Sequence, residues 1–381
     1  MTSKKILFVT GCRSDFATIK GVLLSLKKAI SIETEIIVTG PHTLKATGLS
    51  SQEIVKLGYK ISQTQIIHGN DISEDYILEV RGINSYLTEN YIDAAVICGD
   101  RPEMLAAATA LFLKQVPIFH IHGGDITNGG SLDDNIRHAI TKLSSIHFVA
   151  TSLSANIVKR LGEEKWRVFK TGSPDVDELA EFSDQDEKNV LKEFELEPRS
   201  FNILLFHPET LAGKMNFDYA KLIILALEKV EGKTVIISPN NDLYSDYIRR
   251  AYKDCPKNKY LFFSSLDREK YLTLLKNCEF LIGNSSSGII EAATFKIPVI
   301  NLGHRQDGRQ RSNNVIDIPN ISISNILVAL RKNRSNDFHK QMKLTRNVYG
   351  TGKSSEKIAE LIIMILEKYS WTDLIHKKFK V

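Results

Sequence analysis

Short apolar runs closed by glycine or by a polar cluster recur along the chain, and between them lie segments whose apolar residues return every three or four positions. Runs that are apolar on both faces mark buried strands of a parallel sheet, and the longer periodic segments mark amphipathic helices. In the first half this pattern predicts strands at 5–10, 35–39, 93–98, 117–120, 147–151 and 167–171. Helices are predicted at 16–29, 104–114 and 133–143. In the second half strands are predicted at 202–206, 235–238, 260–264, 280–282 and 298–302, with a helix at 289–295. Strand and helix alternate throughout, which predicts an α/β fold with parallel sheets covered on both faces.

The pattern breaks at 173–199, where Pro174, a polar and acidic run at 184–186 and a helical patch ending at Pro198 read as a connection. It divides the chain into a domain at 1–180, a second at 181–352 and a tail at 353–381. The tail carries a helical stripe of Ile358, Leu361, Ile362 and Ile365. A length of 381 residues suits two domains of average size. With 43% hydrophobic and 25% charged residues the composition is that of a soluble protein, and no apolar run is long enough to span a bilayer. The start, Met1-Thr2-Ser3-Lys4-Lys5, leads into a strand without an apolar signal region, so a cytoplasmic location is expected and no membrane partner. Cys12, Cys98, Cys255 and Cys278 are scattered without metal or disulfide spacing, so reduced and mostly buried thiols are expected. The net charge of +5 is spread rather than striped, which argues against nucleic acid and leaves anionic small molecules.

In open α/β sheets ligands sit beyond the carboxyl ends of the strands, so the polar clusters that end strands are the candidate chemistry. The richest is Gly283-Asn284-Ser285-Ser286-Ser287-Gly288. Hydroxyls and free N–H groups at a helix start suit a phosphate or diphosphate, although serines there also simply cap helices. Arg305, Arg309 and Arg311 follow the next strand and can add cationic donors, and Glu291 lies within reach of a pair of ribose hydroxyls. Arg13, Asp100, Arg101, Asp125, Asp133, Asp134, Arg137, His207 and Glu209 are the other strand-end ionisable groups. Asp100 either presents a carboxylate to the crevice or serves structurally, paired with Arg101 or capping the next helix. The stretch Gly350-Thr351-Gly352-Lys353-Ser354 has Asn347 where a phosphate loop needs glycine, and reads as a helix start. Gly11 lacks the partner glycines of a dinucleotide fingerprint. His120 and His122 lack a third ligand at metal spacing. Neither cofactor nor metal is therefore expected.

Taken together, GCRSDF, CGDRPE, HIHGGD with DDNIRHAITKLS, FHPET, SPNND, and GNSSSGIIE with NLGHRQDGR resemble the hydrolysing UDP-N-acetylglucosamine 2-epimerases of sialic acid and related nonulosonic acid biosynthesis. The motifs run in the family's order from Gly11 to Arg309, nearly the whole chain. The resemblance implies two Rossmann-like domains of the glycosyltransferase-B type with the active site between them. It also implies a last helix packing back on the first domain, and a homo-oligomer, dimer or tetramer.

It further implies conversion of UDP-N-acetylglucosamine and water to N-acetylmannosamine and UDP, by elimination to a glycal and hydration. By motif matching, Arg13, Ser285, Ser286, Ser287, Gly288 and Arg305 hold the diphosphate, with Arg101 joining them from the GDR motif, and Glu291 takes the ribose. Asn240 and Asp242 match a substrate-lining segment. Asp100, Asp133 and His207 fall on acid/base positions. Some relatives carry a catalytic Glu where this chain has His122, so either His122 or Asp125 takes over that duty. Phe16 also stands where a Tyr is common. The sister activity on UDP-2,4-diacetamido-2,4,6-trideoxyglucose, for legionaminic acid, is the nearest alternative. Non-hydrolysing relatives typically read HVEAG and DSGG where this chain has HIHGG and NSSSG, which disfavours that activity. A sugar transferase of the same fold, or an inactive nucleotide-sugar binding protein, is the reading from another class.

Overall fold

The computed structural model describes residues 3–44, 51–69, 71–126, 132–182, 187–209, 212–239 and 243–380. The chain forms two compact units. One comprises 3–126, 132–178 and 349–380, the other 179–348, within those described residues.

The first unit is built on strands β1 (Lys4–Thr10), β2 (Ile32–Val38), β3 (Ile61–Thr64), β4 (Ala94–Cys98), β5 (Ile118–Ile121), β6 (Ile146–Val149) and β7 (Val168–Lys170). They lie in the order β3-β2-β1-β4-β5-β6-β7, every pair parallel. Because successive strand residues point to opposite faces, β1 feeds two cores. Ile6 and Phe8 pack with Phe16, Ile19 and Leu23 of the helix Arg13–Leu26, and Leu7 and Val9 pack with Met104, Ala107 and Ala108 of the helix Pro102–Leu113. The helix Ser354–Lys368 joins the first of these cores through Ile358, Ala359, Ile362 and Ile365, and lies against Arg13–Leu26. Its first N–H groups, at Ser354 and Ser355, donate to Asp177 at 2.9 and 2.6 Å. This carboxylate from a distant segment caps a helix start that has no side-chain cap of its own. Beyond it, the fully buried Arg167 guanidinium donates to the carbonyls of Asp373, Leu374 and His376, which fixes the last residues to this unit.

The second unit repeats the plan with β8 (Phe201–Leu205), β9 (Lys233–Ile237), β10 (Tyr260–Phe263), β11 (Leu281–Gly283), β12 (Val299–Leu302) and β13 (Val315–Ile318). Their order is β10-β9-β8-β11-β12-β13, again all parallel. Leu204, Ile282 and Ile300 point into one core, and Ile203, Leu281 and Val299 into the other. Both sheets have the doubly wound order in which the sequence of strand addition reverses beside the first strand, as the alternating pattern and the Rossmann-like expectation require.

Several elements depart from the sequence reading. The strands β3 and β13 stand at sheet edges and are only partly buried, so they lack a sustained apolar run. The helix Ile72–Glu89 buries a sparse set of residues and escaped the pattern as well. The helix expected at 289–295 instead spans Ser286–Ile290 and relaxes into turns. There the Asn347 side chain takes the Ile290 carbonyl at 2.7 Å and Thr294 Oγ1 at 2.8 Å, competing for a group that a longer helix would use internally.

Candidate functional site

Strand order reverses between β8 and β11 in the second unit, and the two chain segments leaving these strands are joined by one side chain. Asn284 Oδ1 accepts the His207 N–H at 2.6 Å, and Asn284 Nδ2 donates to the His207 carbonyl at 2.9 Å. Gly283 makes this approach possible: its φ is 144°, and a Cβ there would collide with the Leu205 carbonyl. The His207 ring is buried, its Nδ1 has no partner among the described residues, and burial together with Arg305 lowers its pKa to about 4. At neutral pH it is therefore a neutral imidazole with an unused nitrogen.

The serines divide their duties. Ser285 caps the short helix, accepting the Ser287 N–H at 3.3 Å. Ser287 donates to Glu291 at 2.7 Å and touches the Tyr271 hydroxyl, while Arg268 pairs with the other Glu291 oxygen at 3.0 Å. The half-buried Ser286 hydroxyl makes no bond among the described residues. Gly288 packs its backbone close to Val299 and Leu281. Arg305 Nη1 donates to the Asn284 carbonyl at 3.2 Å, and the Glu209 carboxylate accepts the backbone N–H groups of His304 and Arg305. Serine turn, His207 and Arg305 are thus one hydrogen-bonded assembly. Arg311 stands apart from it, held by Asp317 and by the carbonyls of Gln306 and Arg309.

In the first unit the reversal falls between β1 and β4, followed by Arg13 and by Asp100 and Arg101. Arg13 is the exposed first residue of its helix. Arg137, one turn after Asp133 and Asp134, is buried and gathers the acids: it pairs with Asp100, bonds Asp134 at 2.6 Å and donates to the Asp125 carbonyl at 2.7 Å. Asp125 also accepts from Ser154 at 2.6 Å. Asp133 is exposed, yet partial burial of its carboxyl raises the pKa, opposed by Arg101 and helped by Asp134 and Glu103. Arg101 pairs with the buried Glu103 at 2.6 Å. His122 has a left-handed backbone, φ 68°, and its Nε2 lies 3.0 Å from Ser173 Oγ. His120, by contrast, spends Nε2 on the Gly99 carbonyl, and burial lowers its pKa to about 3, so it is a core residue.

Cys12, Asp15 and Glu103 bring ligand-type atoms within 4.8 Å of one another. Their donors are already in use: Glu103 is paired with Arg101, Asp15 accepts the Gly11 N–H at 3.2 Å, and burial raises the Cys12 thiol to about 11. The set does not fit a metal. Asn240 and Asp242 lie outside the described residues. Pattern reading did not assign roles to Arg137, Glu103, Ser173, Asp175, Arg268 or Tyr271; for Arg137 the spacing to Asp134 was the available signal.

A family model described as UDP-N-acetylglucosamine 2-epimerase matches residues 24–363. A Legionella pneumophila protein named UDP-N,N'-diacetylbacillosamine 2-epimerase (hydrolyzing) is 32% identical, covering 94% of this chain and 95% of its own. A Neisseria meningitidis UDP-N-acetylglucosamine 2-epimerase is 33% identical over 82% of this chain and 83% of its own. A Staphylococcus aureus MnaA–UDP co-structure superposes with a TM-score of 0.79 at 19% identity, covering 99% of this chain and all of that one. Among the described residues, no helix is long and apolar enough to cross a membrane. From its match over most of its length, the chain belongs to the UDP-N-acetylglucosamine 2-epimerase family.

Proposed function

We propose that the protein is a hydrolysing 2-epimerase that converts UDP-N-acetylglucosamine and water to N-acetylmannosamine and UDP. The observation that carries this reading is the second unit's assembly of Ser286, Arg305 and neutral His207 around Asn284, at the point where strand order reverses. Its helix is a single turn, so hydroxyl and guanidinium donors rather than a long helix dipole take up the diphosphate charge. Ser285, Ser287 and Gly288 shape the turn, and Glu291, braced by Ser287 and Arg268, takes the ribose in this reading.

In the elimination half, a base removes the proton from sugar C2 while the C1–O bond breaks and UDP departs, leaving a glycal. In the second half, water supplies hydroxyl to C1 and a proton returns to C2 on the opposite face. The first unit's Asp100, Asp125, Asp133 and His122 are the proton-handling groups, with Arg13 and Arg101 as cations for the departing phosphate. The raised pKa of Asp133 suits a carboxylate acting as base. Cytoplasmic sugar nucleotides, a homo-oligomeric assembly and a role in sialic acid synthesis complete the reading.

A second substrate is favoured by a specific observation: the Legionella relative is named for the diacetylated trideoxy sugar nucleotide, not for UDP-N-acetylglucosamine. Release of UDP from each nucleotide sugar, with NMR of the sugar formed, decides between them. Free N-acetylmannosamine is the expected product, and a product that keeps its UDP would overturn the hydrolysing assignment. Asp100→Asn should lower turnover by roughly 10²- to 10⁴-fold with UDP affinity kept. Ser286→Ala should weaken UDP binding by about 1 kcal/mol, and Arg13→Ala by about 2.

A further inference from the structure

We infer that Ser173 and Asp175 are positioning residues that hold His122 as the Nε2–H tautomer and leave Nδ1 as its basic nitrogen. The geometry is a relay. His122 Nε2 lies 3.0 Å from Ser173 Oγ, Ser173 Oγ lies 3.1 Å from Asp175 Oδ2, and Asp175 Oδ1 accepts from Thr18 Oγ1 at 2.6 Å. A serine hydroxyl has one proton, and a carboxylate can only accept. The charge-assisted bond to Asp175 is the stronger use of that proton, so the Ser173 oxygen is left to accept from Nε2–H. Direct pairing of Nε2 with Asp175 is longer, at 3.8 Å, which makes the serine the working link.

The other nitrogen is differently placed. Among the described residues the polar contact of Nδ1 is a long one, 4.0 Å to Cys98 Sγ. Burial holds the Cys98 thiol well above its ordinary range, so it is a neutral, weak S–H donor whose long contact suits an Nδ1 lone pair and leaves it available. The relay is also rigid. Ser173 is buried and its N–H donates to the Tyr349 carbonyl at 2.6 Å, while the His122 N–H donates to the Phe148 carbonyl at 3.0 Å and fixes the left-handed turn that ends β5. A left-handed residue other than glycine stores strain, and such outliers gather at working sites. The segments that follow β5 and β7 and, through Thr18, the helix Arg13–Leu26 thus converge on one relay.

This inference deepens the proposed function and rests on His122 handling a proton there. The test has two readouts. In ¹⁵N-labelled enzyme, His122 should show a protonated-type shift at Nε2 and an unprotonated-type shift at Nδ1. In Asp175→Asn, which keeps the side-chain shape, and in Ser173→Ala, the two nitrogens should move toward averaged shifts. Turnover should fall roughly tenfold or more in both, a part of the roughly 10²- to 10⁴-fold that a positioned acid–base group contributes, with KM within about twofold. Ser173→Thr, which keeps the hydroxyl, should restore both readouts. A proton on Nδ1 in the unmodified enzyme, unaltered shifts and kcat in Asp175→Asn, or a Ser173→Thr enzyme as impaired as Ser173→Ala would each overturn the proposal. Absence of UDP release from any nucleotide sugar would sink the functional reading instead, and the ring shifts would still judge the relay.

Discussion

Glu163 shows how single residues carry this fold. Its side chain is fully buried, and it accepts from Lys142 at 2.6 Å, Lys377 at 2.9 Å and His147 at 3.2 Å. Burial alone would raise its pKa, but the His147 bond and the two lysines outweigh that and hold it at about 2. Burial lowers the pKa of His147, which stays neutral near pH 7, so the lysines supply the countercharge. Glu163→Gln leaves both cations without it. The expected loss is about 3 kcal/mol, at the low end for a broken buried pair because Lys142 can turn to solvent. Urea unfolding at pH 7 measures it. Because the folded pKa is depressed, this contribution is present above pH 4.5 and is lost as pH falls toward about 2, so the difference between parent and variant should shrink over that window.

At the scale of elements, the Ser354–Lys368 helix depends on Asp177, whose carboxylate bonds its first two N–H groups. Asp177→Ala should cost about 1 kcal/mol, the usual worth of a lost cap, and should speed amide exchange in the first turn before the rest of the helix. The same helix shows what sequence can convey. Its stripe of Ile358, Ile362 and Ile365 was legible because one face is wholly buried, and β1 and β4 were legible because both faces are. The edge strands β3 and β13 were not, although β7 and β10 at the opposite edges were, and the helix after the serine turn was overestimated because Asn347, more than fifty positions later, takes its carbonyl. The polar clusters that end strands were visible wherever glycine or proline punctuated a run, at Asp100, His122 and Ser285–Ser287. What stayed hidden were the partners, since Ser173 and Asp175 meet His122 only through the order of β5, β6 and β7.

For the whole molecule, the last residues are structural. Removing 371–380 would strip the buried Arg167 of three carbonyl acceptors and Glu163 of Lys377. Hydrogen exchange should show β6 and β7 losing protection first, with β8 and β11 keeping theirs, because the truncated segment belongs to the first unit alone. Equal loss in both sheets would contradict that division. The discontinuity of the first unit has a consequence for synthesis. Its opening strands emerge early from the ribosome, but the core on their Ile6–Phe8 face, begun by the helix Arg13–Leu26, stays incomplete until residues 354–368 follow, whereas 179–348 is one continuous stretch. The lobe encoded second should therefore mature first, and nascent chains stalled near 350 should present a finished C-terminal lobe beside a chaperone-dependent N-terminal one.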